Sequence, residues 1–190
     1  MKANRWIRLT LAGIILTLGS VGAFAQLTSG AQTIALTASV NESLTVSPAS
    51  GSYNFGTVTP GNATNGPGTT VAITTDYRLN SSRTNVRLCS YFGTAATAMT
   101  GAIDNIPSSA VEVRGGALLG ATFTPINSTC AAGLGVAGAS RTLANYAVGA
   151  ATRRATQVEN FEFNLNLSTL PNLNADTYSG TLNIQAQATP

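Results

Sequence analysis

Between Phe161 and Ser168 the chain reads FEFNLNLS, with a large apolar residue at every odd position and a polar one at every even position. Side chains on a strand point to alternate faces, so a period of two specifies a β-strand with one buried face and one wet face. It is incompatible with an amphipathic helix, whose apolar positions recur every three or four residues. One such strand cannot hold itself together, so the rest of the chain must supply partners.

Those partners are legible. TYSGTLNIQAQA, 177 to 188, sets Tyr178, Leu182, Ile184, Ala186 and Ala188 against Thr177, Thr181, Asn183, Gln185 and Gln187, and the intervening TLPNLNAD has the residues of a loop. TVAITTDY sets Val71, Ile73 and Tyr77 on one side. TNVRLCSYF sets Val86, Leu88 and Phe92 opposite Arg87, Cys89 and Tyr91, which points Cys89 away from the main core. YNFGTV carries Tyr53 and Phe55 and then Gly56, a signal for a bulge or a close backbone approach. AVEVR and LLGATFT predict a hairpin turning at Gly115-Gly116. TPGNATNGPGT at 59 to 69 and CAAGLGVAGAS at 130 to 140 read as loops, the second a mobile one tied at Cys130. Eight or nine short antiparallel strands with turn signals between them predict an all-β domain, an immunoglobulin-like two-sheet antiparallel β-sandwich, with a closed barrel as the second choice.

Residues 1–25 read as a secretory signal peptide. Lys2, Arg5 and Arg8 form a positive start, Leu9 to Val21 an apolar stretch, and Ala23-Phe24-Ala25 a cleavage site. The apolar run is shorter than the roughly 20 residues that span a bilayer, so no membrane insertion of the mature chain is expected. Cleavage before Gln26 leaves 165 of the 190 residues, enough for one domain. Of ten basic residues three lie in the leader, and the remaining seven arginines balance seven carboxylates. A mature net charge of zero gives no reason to expect nucleic acid as a partner. Cys89 and Cys130 are the two cysteines. In an exported chain they most simply form a disulfide, with free thiols or half of a metal site as competing readings.

No His occurs in the chain, and its one Lys lies in the leader. That excludes Ser-His-Asp and Ser-Lys catalysis, and the expectation is no enzyme, no catalytic residues, no cofactor and no metal. Glu159 and Glu162, three apart on a strand, face opposite ways and cannot act as a glycosidase pair. Glu162, Asn164 and Asn166 read as a solvated strand face, with sugar binding near Tyr178 as the weaker alternative. Asp104-Asn105 reads as a turn and Arg153-Arg154 as an exposed strand end. Asn41, Asn62, Asn80, Asn127 and Asn166 each begin an N-x-S/T triplet, a motif that a chain this rich in Asn, Ser and Thr produces by chance.

At the other end, TIALTASVNESLTV, 33 to 46, alternates from Ile34 through Leu36, Ala38 and Val40, meets Glu42, and resumes at Leu44 and Val46. As one strand it would run about 40 Å, longer than usual. Glu42 therefore marks a boundary: 26–41 is an N-terminal extension or first strand, and 42–190 the β-sandwich domain.

The segment TIALTASV, the strand and turn YNFGTVTPG, one cysteine pair, and the closing strand TYSGTLNIQAQA together resemble the subunits of bacterial surface fibres built by the chaperone–usher route, including the spore-coat-U-like fimbrial branch. The coat-U-like pattern usually has an early cysteine paired near the strand that corresponds to TVAITT, and this chain has none there. The resemblance implies a sandwich that lacks its last strand and is completed by the N-terminal extension of another subunit, with Ile34, Leu36, Ala38 and Val40 as donor side chains. It also implies self-association or other surface subunits as partners, a periplasmic chaperone, and a place in the periplasm, on the cell surface or outside the cell. The alternative function is a self-contained secreted β-sandwich that binds carbohydrate or another surface molecule through its loops.

Overall fold

A computed structural model of the chain describes residues 32–131 and 133–190. The leader expected at 1–25 and residues 26–31 of the extension lie outside that range. The chain divides into two units, Met1–Ser39 and Val40–Pro190. Residues 32–42 have no regular secondary structure and are exposed.

The second unit is an all-β sandwich. Its elements are β1 (Ser43–Pro48), β2 (Thr70–Arg78), β3 (Asn85–Tyr91), β4 (Met99–Thr100), β5 (Asn105–Ile106), β6 (Val111–Gly115), α1 (Gly116–Leu119), β7 (Gly120–Pro125), β8 (Ser140–Ala147), β9 (Arg154–Leu165) and β10 (Asn183–Thr189). One sheet has the order β1-β2-β9-β6-β7 and the second β10-β3-β8, while β4 and β5 form a small ribbon. Every pairing is antiparallel.

The stripe of FEFNLNLS is the centre of the core: Phe161, Phe163, Leu165 and Leu167 are buried beside Ile73, and Leu88 and Leu143 meet them from the second sheet. Burying side chains of that size contributes about 1.5–3 kcal/mol each, which is why the alternation alone locates the sandwich interior. A second cluster joins Tyr77, Leu79, Val86 and Val148, with Leu44, Ala186 and Ala188 packed against it.

The hairpin between β6 and β7 forms, with a difference. Leu118 and Leu119, expected to open the second strand, instead belong to α1, a single helical turn. Gly115 takes φ 106°, and a Cβ there would lie 2.2 Å from the Asn160 carbonyl oxygen, so only glycine lets β6 run this close to β9 before turning.

Cys89 and Cys130 are joined in a disulfide. Leu88 points into the main core, whereas Cys89 forms a separate buried cluster with Cys130, Leu134 and, at its edge, Tyr91. The register of β3 against β8 shifts between Leu88 and Cys89. The glycine-rich segment after Cys130 departs from the mobile loop expected of it: Leu134 and Ala139 are buried, and the Ser140 hydroxyl bonds the Val136 N–H at 2.7 Å and the Val136 carbonyl at 2.5 Å. The segment is a packed lid over the disulfide.

Glu42 stands immediately before β1. Its carboxylate accepts the Asn80 N–H at 2.9 Å and pairs with Arg83 at 3.2 Å, and these bonds, the backbone one first, lower its pKa from the ordinary 4.5. A carboxyl with a depressed folded-state pKa stabilises the fold above its unfolded value, and that contribution disappears as pH falls through the lowered value. Thermal unfolding of Glu42→Gln should therefore differ from the parent at neutral pH, with the lower melting temperature, and converge with it in acid. Because the pair is exposed, the difference should be small and should shrink in salt.

Candidate functional site

The two outer strands nearest each other in the sandwich, β1 of one sheet and β10 of the other, do not close the interior along their whole length. Below β1 the chain continues through Pro48, Ser50 and Ser52 to Tyr53 and Phe55, and before β10 it runs through Tyr178, Gly180, Leu182 and Ile184. Between these segments a cleft of about 480 Å³ opens, floored by Val71, Phe92, Met99, Val111 and Phe163.

Each wall is fixed locally. The Tyr53 hydroxyl lies 3.0 Å from the Thr69 carbonyl and 3.1 Å from that of Phe163. Its ring meets Phe55 and Phe163 edge-on, at centroid distances of 5.1 and 5.3 Å, the arrangement aromatic quadrupoles favour. Gly56 follows with φ 73°, and its N–H donates to the Asn54 side chain, so the chain turns as soon as Phe55 is placed. On the opposite wall, Ser179 and Thr100 exchange backbone bonds in both directions, and a Cβ on Gly180 would sit 2.0 Å from the Ala98 carbonyl oxygen. The Tyr178 hydroxyl donates to the Asn174 carbonyl, and burial followed by Asp104 and Asp176 raises its pKa. The Asp176 carboxylate, held by the N–H groups of Ala102 and Thr177, is lowered.

The order β1-β2-β9-β6 with β10-β3 matches the A-B-E-D and F-C strands of an immunoglobulin sandwich. The match is topological and has two departures: β7 adds a fifth strand beyond β6, and β8, the neighbour of β3, follows β6 and β7 in the chain instead of preceding them. In that sandwich the last strand lies beside F. Here β10 pairs with β3 alone among the described strands, and the cleft meets it at Ile184, near its start.

No family model, curated protein or solved structure matches this chain.

Of the residues singled out in the sequence, Cys89 and Cys130 come together as read. Ile34, Leu36 and Val40 are 85%, 89% and 73% exposed, and Ala38 is exposed beside them. Such a run of uncovered large apolar side chains is unusual on a folded protein. The solvated face expected at Glu162, Asn164 and Asn166 is corrected. Asn164 is buried and donates to Glu112 at 2.8 Å and to the Ala63 carbonyl at 3.0 Å, while its carbonyl accepts the Asn65 N–H at 2.8 Å. Asn166 donates to the other Glu112 oxygen, and Glu162 pairs with Arg114 at 2.8 Å. The loop that contains Asn65 has folded over this face, which removes it as a sugar site. Among the described residues no group of three or more His, Cys, Asp or Glu side chains is placed to hold a metal, and no helix is long and apolar enough to cross a membrane.

Two features lay beyond sequence reasoning. The walls of the cleft, around Tyr53 and Gly180, are 127 positions apart and meet only through tertiary packing. Near the second core cluster, the hydroxyls of Thr75, Tyr77 and Tyr146 are buried and among the described residues make no hydrogen bond of good geometry; burial first and then Glu159 push the Tyr146 pKa up to about 12, against the opposing effect of the neighbouring Thr75 hydroxyl.

Proposed function

We propose that this chain is an exported structural or adhesive cell-surface subunit, fimbrial or pilin-like, that assembles by β-strand addition. The observation that carries the reading is the apolar cleft at the start of β10, a strand that among the described residues has a strand partner on one side alone. A strand laid there would gain main-chain hydrogen bonds from the edge and place alternate side chains in the cleft. The occupant is the segment from Ile34 to Val40 of a second copy. Its seven residues equal the length of β10, about 23 Å at roughly 3.3 Å per residue. Ile34, Leu36, Ala38 and Val40 would then all face one way, into the cleft.

An exposed apolar edge of this kind is an aggregation hazard until it is filled. A periplasmic chaperone holding the cleft before assembly fits that hazard and completes the partner set of the proposal.

The test uses the purified protein. Its apparent mass should rise with concentration, and Leu36→Asp, which puts a charge on the donor face, should hold it as a monomer. A synthetic peptide of residues 31–41 should then bind the Leu36→Asp protein and, at about a hundred times its Kd, stabilise it by roughly 2.7 kcal/mol. A parent protein that stays monomeric at every concentration, with the amides of 33–40 protected from hydrogen exchange, would mean that the segment serves its own chain and would overturn the proposal.

A further inference from the structure

A second concavity lies on the outer face of the five-stranded sheet, apart from the cleft. The register places Ser43, Arg78 and Arg154 in one row across β1, β2 and β9, and Thr45, Asp76 and Thr156 in the row beside it. Asn41 and Ala155 complete the rim of a pocket of about 420 Å³, within the size range of small-molecule sites.

Arg78 and Arg154 are directly opposed on antiparallel strands. Like charges in that position oppose folding, because their Cβ atoms stand only about 4.5–5.5 Å apart. Among the described residues neither guanidinium has an ion pair or a side-chain hydrogen bond; the ion pairs are made by Arg83 with Glu42 and by Arg114 with Glu162. Asp76, the nearby carboxylate, accepts the Thr156 hydroxyl at 2.6 Å. The pocket therefore holds two unpaired planar cations, one acceptor-only carboxylate, two hydroxyls and an amide.

We infer that this pocket binds a uronic-acid residue of an acidic polysaccharide. The sugar carboxylate engages Arg78 and Arg154, whose forked donors match a planar oxyanion. Its ring hydroxyls donate to Asp76 and exchange hydrogen bonds with Asn41, Ser43 and Thr156. Asp76 decides between a sugar and a bare anion: it repels a doubly charged phosphate or sulfate more than a singly charged carboxylate, and it supplies the acceptor that sugar hydroxyls need and a bare anion cannot use. The inference is independent of strand addition, since no residue of this pocket lines the cleft.

Titration calorimetry with trigalacturonate, its fully methyl-esterified form and inorganic sulfate tests it. Trigalacturonate should bind, less tightly as salt is raised. The neutral ester, and trigalacturonate offered to the Arg78→Gln/Arg154→Gln protein, should each bind about tenfold more weakly or worse, the value of a lost charge-assisted bond. That double variant should melt no lower than the parent, because it relieves the like-charge pair, which separates lost recognition from lost folding. Asp76→Ala should weaken trigalacturonate binding. Equal binding of the ester, or unchanged binding by the double glutamine variant, overturns the site. Sulfate binding as tightly as trigalacturonate, with Asp76→Ala tightening both, overturns the sugar in favour of a plain oxyanion.

Discussion

Reduction of the Cys89–Cys130 bridge is expected to lower the unfolding free energy by about 4 kcal/mol, the chain-entropy value for a closed loop of this length. The sequence separation is 41 residues, and the loop encloses β4 to β7, so without the bridge the unfolded chain regains the freedom of about a fifth of its length. For a domain of this size the loss corresponds to a fall in melting temperature of roughly 8–16 °C. The structure adds a local consequence. Cys89, Cys130 and Leu134 make a cluster of their own, so reduction should first loosen the segment after Cys130 and leave the amides of β9 protected. Differential scanning calorimetry of the Cys89→Ser/Cys130→Ser protein, with hydrogen exchange at Leu134 and Phe163, reads both effects. An unchanged melting temperature would mean that the bridge constrains nothing the fold does not already hold.

The second large effect is expected at Asn164. Truncation to alanine orphans the Glu112 carboxylate oxygen, the Ala63 carbonyl and the Asn65 N–H. A buried group left without a partner costs about 1–3 kcal/mol. Of the three, Asn65 is buried, Glu112 half-buried and Ala63 exposed, so water takes over part of the lost bonding and the loss is expected at roughly 2–3 kcal/mol. The backbone shows what opens: Gly61 N–H donates to Leu167, Leu167 N–H to Asn62 and Leu165 N–H to Asn65. Loss of the Asn164 side chain should therefore raise exchange at Gly61 and Asn65 and admit protease between 59 and 69. Because Gly66 packs against Phe55 and the Phe163 carbonyl, the same variant should also weaken binding of the 31–41 peptide. Asn164→Asp sharpens the test. It sets a second carboxylate against Glu112, which raises the pKa of the pair, so its deficit should be full at neutral pH and shrink as pH falls and one proton is shared. A deficit that stays constant with pH would show that the contact with Glu112 is not what the substitution disturbs.

These residues also show where sequence reasoning reached and where it stopped. Alternation in FEFNLNLS correctly predicted which side chains enter the core, because the pleat enforces a period of two whatever the partner strand is. The same pattern made Asn164 look solvated, since alternation distinguishes the faces of one strand and says nothing about a loop 100 residues away folding over the outer one. Apolarity alone assigns Leu118 and Leu119 to a strand, whereas they lie in a single helical turn between the positive-φ glycines Gly116 and Gly120, where the chain reverses.

Glu42 interrupts an apolar alternation, and β1 begins at the next residue, because a carboxylate that finds the Asn80 N–H and Arg83 at the surface cannot also lie in the core. The local chain by itself determined the strand class, the core stripe and the cysteine pair, all of which rest on short-range periodicity and composition. Tertiary structure alone decided that Tyr53 and Gly180 line one cleft, that among the described strands β10 pairs with β3 alone, and that Arg78 stands opposite Arg154. The physical reason is that pairing and register are set by the sum of contacts over whole sheets, and no single segment carries that sum.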